Sequence, residues 1–285
     1  MDININQYHT LIKHIPYYSH DHWLIEKLKE LLTTEYQSLF HAVIVHGSFG
    51  TNELMKFSDF DGLLIVNDVY LDSSLLKKFI KESMNLIYKF DPLQHHGWFL
   101  ISKSDLDNYP QGYLPHEILD FSKCIYPQTS DFNLEITFNN STVDYKYALM
   151  HIIELLEQQV LLDWKNERIY MLKSYLSKIM LLPSLYYSFK NSKGIFKKES
   201  FNKVKNDFLL IEWEAIVKSS EIRKTWDYNL TFIQKSIMQH PNKVFRKSTK
   251  KWVSPKISNE QAEYLNNEFK KSLLLFIKAI KSKLE

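Results

Sequence analysis

The chain carries one cysteine, Cys124, in 285 residues. A lone cysteine excludes an internal disulfide and a cysteine-built metal cluster, and it fits a reducing, cytoplasmic setting. Long apolar runs are missing too. The longest, such as IMLLPSLYY, fall well short of the roughly 20 residues that cross a bilayer, so no membrane span is expected. The opening stretch MDININQYHTLIKHIPYYSH has no uninterrupted apolar core and does not read as a secretory signal. Charge of one sign is not in excess either: 36 basic against 33 acidic side chains leave a net charge of +3, which gives no general argument for wrapping DNA or RNA. Internal repeats and low-complexity tracts are absent.

What the chain does have is apolar content, 45% with 14% aromatic, enough for substantial cores and against disorder. Its length exceeds one average domain, which points to two. Residues 20–39 place Trp23, Leu24, Leu28, Leu31 and Leu32 at helical spacing. Short apolar, β-branched runs follow at 41–47 and 59–66, with a polar segment between them holding Gly47, Ser48, Gly50 and Asn52. Residues 71–90 return to helical periodicity, and 91–102 read as a third extended region turning at Gly97. Residues 105–142 look like a connecting region with one short helix near 114–122. From Val143 on, the pattern is helical almost throughout, with Pro183 expected to kink or break one helix. The expected fold class is α+β: a small mixed-sheet domain over 1–135, then an all-α helical bundle over 136–285.

The segment VHGSFGTNELMKFSDFDGLLIV carries the chemistry. Strand alternation has period two, so Asp59 and Asp61 should share a face while Phe60 turns into the core. Two adjacent carboxylates repel unless a positive group stands between them. Hard divalent cations with oxygen ligands fill that role, Mg²⁺ above all where phosphates complete the shell. The turn at Gly47 and Ser48, between a strand and a short helix, offers backbone N–H groups and a hydroxyl suited to a triphosphate. Thr51 is a candidate cap for that helix and a candidate phosphate contact.

This Gly-Ser, then Asp-x-Asp, pattern resembles the signature of the DNA polymerase β nucleotidyltransferase superfamily, over about residues 40–102. The resemblance implies a metal-dependent enzyme that moves a nucleoside monophosphate from an NTP, ATP first among them, to an acceptor hydroxyl, with pyrophosphate leaving. It implies two Mg²⁺ ions, with Mn²⁺ as a substitute. Asp59 and Asp61 match the first two acidic positions, and Asp91 is the candidate for the third, serving as metal ligand and as the base or its helper. In the helical half, KSYLSKIMLLPSLYYSFKNSKGIFKKESF resembles in pattern the helical region of antibiotic nucleotidyltransferases of the kanamycin and streptomycin type. That makes Lys178 a candidate nucleotide ligand, alongside Lys173, Lys197 and Lys198.

Each of these residues has a plainer reading. Asp91 before Pro92 is an ordinary turn former, and most of the lysines are solvated surface. Neighbouring His95 and His96 point opposite ways on a strand, which argues against a shared zinc, although one of them can line the cleft. His46 reads as a strand residue without a role. Three functions compete: transfer to a small, aminoglycoside-like acceptor; modification of tRNA or protein, for which the basic run FRKSTKKWVSPK would supply charge and stacking; and a non-catalytic nucleotide-binding scaffold. The nucleotide and a hydroxyl-bearing acceptor are the expected partners, and a second copy of the chain is an open alternative.

Overall fold

A computed structural model of the chain describes residues 8–33, 35–139, 143–240 and 242–284. The chain forms two compact units, the first ending at Val143 and the second beginning at Asp144.

In the first unit, β1 (Tyr8–Pro16) precedes helix α1 (Trp23–Leu32), whose first turn is capped by His22 accepting from the Leu24 amide at 3.3 Å. Strand β2 (Phe40–His46) runs into a single helical turn, α2 (Gly47–Gly50), and returns as β3 (Asp61–Val66) antiparallel to β2. Helix α3 (Ser74–Phe90), capped by Ser73, crosses over to β4 (Phe99–Ser102), which lies parallel to β3. Strand β5 (Lys123–Tyr126) borders β2, giving the order β4-β3-β2-β5.

This mixed sheet is covered on both faces, which is why β2 and β3 are apolar almost without interruption. Alternation sends Val43, Val45, Leu64 and Val66 to one face, against Leu24 and Leu28 of α1 and Phe79 and Ile87 of α3. It sends Ile44, Leu63 and Ile65 to the other, with Ile15, Leu119, Ile136 and Phe138. The last two belong to β6 (Asp131–Asn139), which pairs with β1 in a separate antiparallel ribbon.

Residues 91–98, expected to be extended, hold no strand. Residues 105–139 hold more than the one short helix expected, since β5 and β6 lie there with the short helical segment His116–Phe121. Strand β6 spans the expected domain boundary between 135 and 136 and belongs to the first unit.

The second unit is helical: α4 (Tyr145–Gln159), α5 (Ile169–Ile179), α6 (Leu182–Asn191), α7 (Lys197–Val204), α8 (Leu210–Thr225), α9 (Phe232–Met238), α10 (Lys243–Val253), α11 (Asn259–Tyr264) and α12 (Lys270–Ser282). Leu149, Ile153, Leu172, Leu176, Trp213 and Phe276 are buried in its interior. Pro183 sits in the first turn of α6, where its missing N–H costs nothing, so the expected kink is a full break between α5 and α6. The basic run near 246–256 is mostly the helix α10 and not a loop, with Arg246 and Lys250 buried; the side chain of Lys247 lies outside the described residues. Among the described residues no helix is long and apolar enough to cross a membrane.

Candidate active site

Register builds the site. In the antiparallel pairing of β2 and β3, His46 faces Asp61, so the turn at Gly47 and Ser48 and the acidic start of β3 emerge at one end of the sheet. Parallel pairing of β3 and β4 sets Leu63 beside Phe99, which brings the residues just before β4 alongside those just before β3. His95 and His96 thereby meet Asp59 and Asp61.

Phe60, between the two carboxylates, is fully buried, with its ring edge-on to Phe49 at 5.3 Å and to Trp98 at 4.9 Å. Asp59 and Asp61 stay partly exposed. Asp59 Oδ1 accepts from the His95 amide at 3.2 Å. Asp61 Oδ1 lies 3.0 Å from His96 Nε2. Burial pushes the His96 pKa down, but the hydrogen bond and charge of Asp61, with the charge of Asp59, outweigh it and hold the pKa up at about 9. An imidazolium therefore stands beside Asp61, the second carboxylate of the pair.

Gly47 adopts a positive φ of 59°. A Cβ there would stand 2.3 Å from Asp61 Oδ2, so only a glycine lets this carboxylate lie against the turn. Gly50 is fixed in a similar way, its missing Cβ leaving room for the Phe121 carbonyl. Ser48 is half-buried beside them. Thr51 closes the C-terminal end of α2 instead of capping its start: its hydroxyl donates to Gly47 O at 3.2 Å and lies 3.3 Å from Glu53 Oε2.

Asp91 belongs to the first unit, with Asp59 and Asp61, and the lysines to the second. Asp91 is buried at the C-terminus of α3, and its Oδ1 accepts from the Leu93 amide at 2.9 Å. Among the described residues no three His, Cys, Asp or Glu side chains gather as a metal cage, so Asp59, Asp61 and Asp91 do not form one closed ligand set. The Asp-Pro turn explains the placement, because a short carboxylate that bonds its own turn is drawn in with it. In the second unit Lys178 is half-buried, donates to Ser174 Oγ at 2.8 Å and Gln159 Oε1 at 3.3 Å, and has its pKa pushed down by burial. Lys173 is fully buried on the same helix.

Two residues had no voice in the sequence. His46, expected to be idle, has its ring buried against Phe99 at 5.4 Å, and among the described residues its buried Nε2 meets no hydrogen-bond partner. Burial pushes its pKa down, against Asp61, so the ring is neutral. Gln94 bonds both backbone groups of Phe60. Neither carries a motif; the pairing of β2 with β3 locates His46 opposite Asp61, while Gln94 lies outside any strand.

No family model matches the chain, and no curated protein matches it. Among solved structures it is similar to the spectinomycin adenyltransferase AAD(9) of Enterococcus faecialis, crystallised with ATP and spectinomycin. That likeness has 16% sequence identity, covers 87% of this chain and 98% of the other, and has a TM-score of 0.42.

Proposed function

We propose that the chain is a metal-dependent nucleotidyltransferase that moves a nucleoside monophosphate from an NTP, ATP by preference, to the hydroxyl of a small acceptor of the aminoglycoside kind, with release of pyrophosphate. One observation carries the reading: Asp61 lies directly against the Gly47 turn with His96 at 3.0 Å, and Asp59, two residues before it, is held by the neighbouring His95.

The donor set suits Mg²⁺. That ion is commonly held by one or two carboxylates with substrate phosphates and water completing its octahedron, and not by an all-protein cage. Two carboxylates are compatible with such a shared site. Asp59 and Asp61 would hold the metal, two ions being the full complement with the triphosphate in place. The metal supplies charge neutralisation on the phosphoryl oxygens and on the attacking and departing oxygens.

The chain's own groups do the rest. The turn at Gly47, lacking a side chain, gives the phosphates close approach to backbone, with the Ser48 hydroxyl beside it. Thr51 holds that turn through Gly47 O, which keeps its hydroxyl beside the turn that would take the phosphates. His96 keeps the carboxylate pair assembled before metal and nucleotide arrive. Asp91 acts at one remove, fixing the turn from which Gln94, His95 and His96 descend. Lys178, a half-buried cation on neutral partners, is suited to an anionic ligand. In the basic run, Arg246 and Lys250 are buried while Lys251, Trp252 and Lys256 are exposed, so the acceptor class is left to the fractionated transfer experiment.

The test is transfer of α-labelled nucleotide, each of four NTPs in turn with Mg²⁺ or Mn²⁺, into a cell extract separated into small molecules, RNA and protein. An Asp59→Ala, Asp61→Ala double variant runs in parallel. Label is expected in the small-molecule fraction with the wild type alone. Label confined to RNA or protein overturns the acceptor assignment, and no label above the variant overturns the enzyme.

A further inference from the structure

Gln94 is buried, polar and adjacent to the site, and its side chain bonds both backbone groups of Phe60, the residue between Asp59 and Asp61. Its Oε1 accepts from the Phe60 amide at 2.8 Å. Its Nε2 donates to the Phe60 carbonyl at 2.8 Å and to the His96 carbonyl at 3.0 Å. A side-chain amide that bonds both N–H and C=O of one residue does the work of a neighbouring strand.

The need for it follows from the register. Strand β3 begins at Asp61 and its neighbour β4 only at Phe99, with pairing from Leu63 onward. The chain at Asp59–Phe60 therefore lies ahead of the ladder. Its backbone groups sit beside a buried ring, where unpaired donors and acceptors are costly. Gln94 fills that gap. The contacts on the Phe60 ring hold one side of the residue, and Gln94 holds its backbone on the other.

We infer that Gln94 is a positioning residue that clamps the backbone between Asp59 and Asp61, ties it to the chain at His96, and so sets the spacing at which the two carboxylates take a divalent cation. The inference rests on the nucleotidyltransferase reading of the pair. Its chemical logic is that of outer partners at metal sites, whose loss weakens metal affinity or activity by about 10–100-fold. Asp59 precedes the strand and Asp61 is its first residue, so the ladder with β4 does not hold this stretch of backbone.

The experiment measures Mn²⁺ affinity by the paramagnetic resonance of free Mn²⁺, in the presence of ATP, on the full chain. It compares wild type with Gln94→Leu, Gln94→Glu and Asp59→Asn, each checked for fold by circular dichroism and for exchange of the Phe60 amide. Gln94→Leu removes all three bonds at nearly constant volume; Gln94→Glu keeps the acceptor for the Phe60 amide. The expected result is Mn²⁺ affinity lowered about tenfold or more in Gln94→Leu and less in Gln94→Glu. Faster exchange at Phe60 and a fall in kcat that exceeds any rise in the KM for ATP should accompany it. A folded Gln94→Leu that binds Mn²⁺ as the wild type does overturns the inference. Should Gln94→Leu fail to fold, Gln94→Glu decides on the same reading, and unchanged affinity there overturns it. Wild-type binding that Asp59→Asn leaves untouched overturns the nucleotidyltransferase reading, and this inference with it. Binding sensitive to Asp59→Asn but intact in the Gln94 variants removes the inference alone.

Discussion

Gly47 and Asp61 occupy space that a single methyl group would contest: a Cβ on Gly47 would stand 2.3 Å from Asp61 Oδ2. The conflict lies between a backbone turn and a strand's first side chain, so one of them must move. Gly47→Ala also places an alanine at a positive φ of 59°. That left-handed conformation and the overpacking together should cost about 1–3 kcal/mol. Transfer should fall about a hundredfold by displacement of the carboxylate. Chemical denaturation and steady-state rates check both. A stable Gly47→Ala enzyme with wild-type kcat would show that Asp61 need not lie against the turn.

Replacing the carboxylates one at a time separates chemistry from packing. Asp59→Asn and Asp61→Asn preserve shape on a partly exposed face. Each should therefore keep the fold while lowering transfer about a thousandfold or more, as loss of a group acting on the transition state does. EDTA should silence the wild type and Mg²⁺ restore it. Wild-type rates in either variant would exclude the pair as metal ligands.

His96 should matter most when the metal is absent. Its imidazolium offsets repulsion between Asp59 and Asp61, and its pKa of about 9 keeps it charged at neutral pH. The ring is partly exposed, so His96→Gln should lower metal-free stability by only about 1 kcal/mol or less. Saturating Mg²⁺ should narrow that deficit, because the cation replaces the lost charge. Thermal melts with and without Mg²⁺ decide it. An equal loss in both conditions would assign His96 a packing role alone.

Much of the site was legible because it rests on local rules. The turn at Gly47 and the start of β3 at Asp61 meet through the pairing of β2 and β3, and Phe60 is buried between two partly exposed carboxylates although it precedes the strand. Asp91, expected to open an extended segment, instead ends α3 and bonds the Leu93 amide within its own Asp-Pro turn. Strand β6 hid for a different reason. Its buried Phe132, Leu134, Ile136 and Phe138 alternate with period two, but Asn133, Glu135 and Asn139 give it the composition of a loop, and its partner β1 lies more than a hundred residues away along the chain, as in Ile12 opposite Glu135. Long-range pairing has no local signature. Gln94 belongs to the same class, since a glutamine announces nothing until the backbone it bonds is known.

Cys124 offers a last check, on the sheet that carries the site. It is fully buried on β5 and its thiol donates to the Tyr126 carbonyl at 2.9 Å. Burial pushes its pKa from 9.0 up to about 12. A raised pKa means that the folded state holds the proton more tightly than the unfolded chain does. The thiol's contribution to stability is therefore complete below pH 9 and is lost as pH rises from there towards 12. Two measurements follow. Iodoacetamide at pH about 8 should label Cys124 only when denaturant opens the unit, because the nucleophile is the thiolate. Stability should also decline less steeply with alkaline pH in Cys124→Ala than in wild type, a difference that removes the tyrosines titrating in the same range. Rapid labelling of the native protein would mean that β5 opens readily, and with it the edge of the sheet from which β2 delivers Gly47.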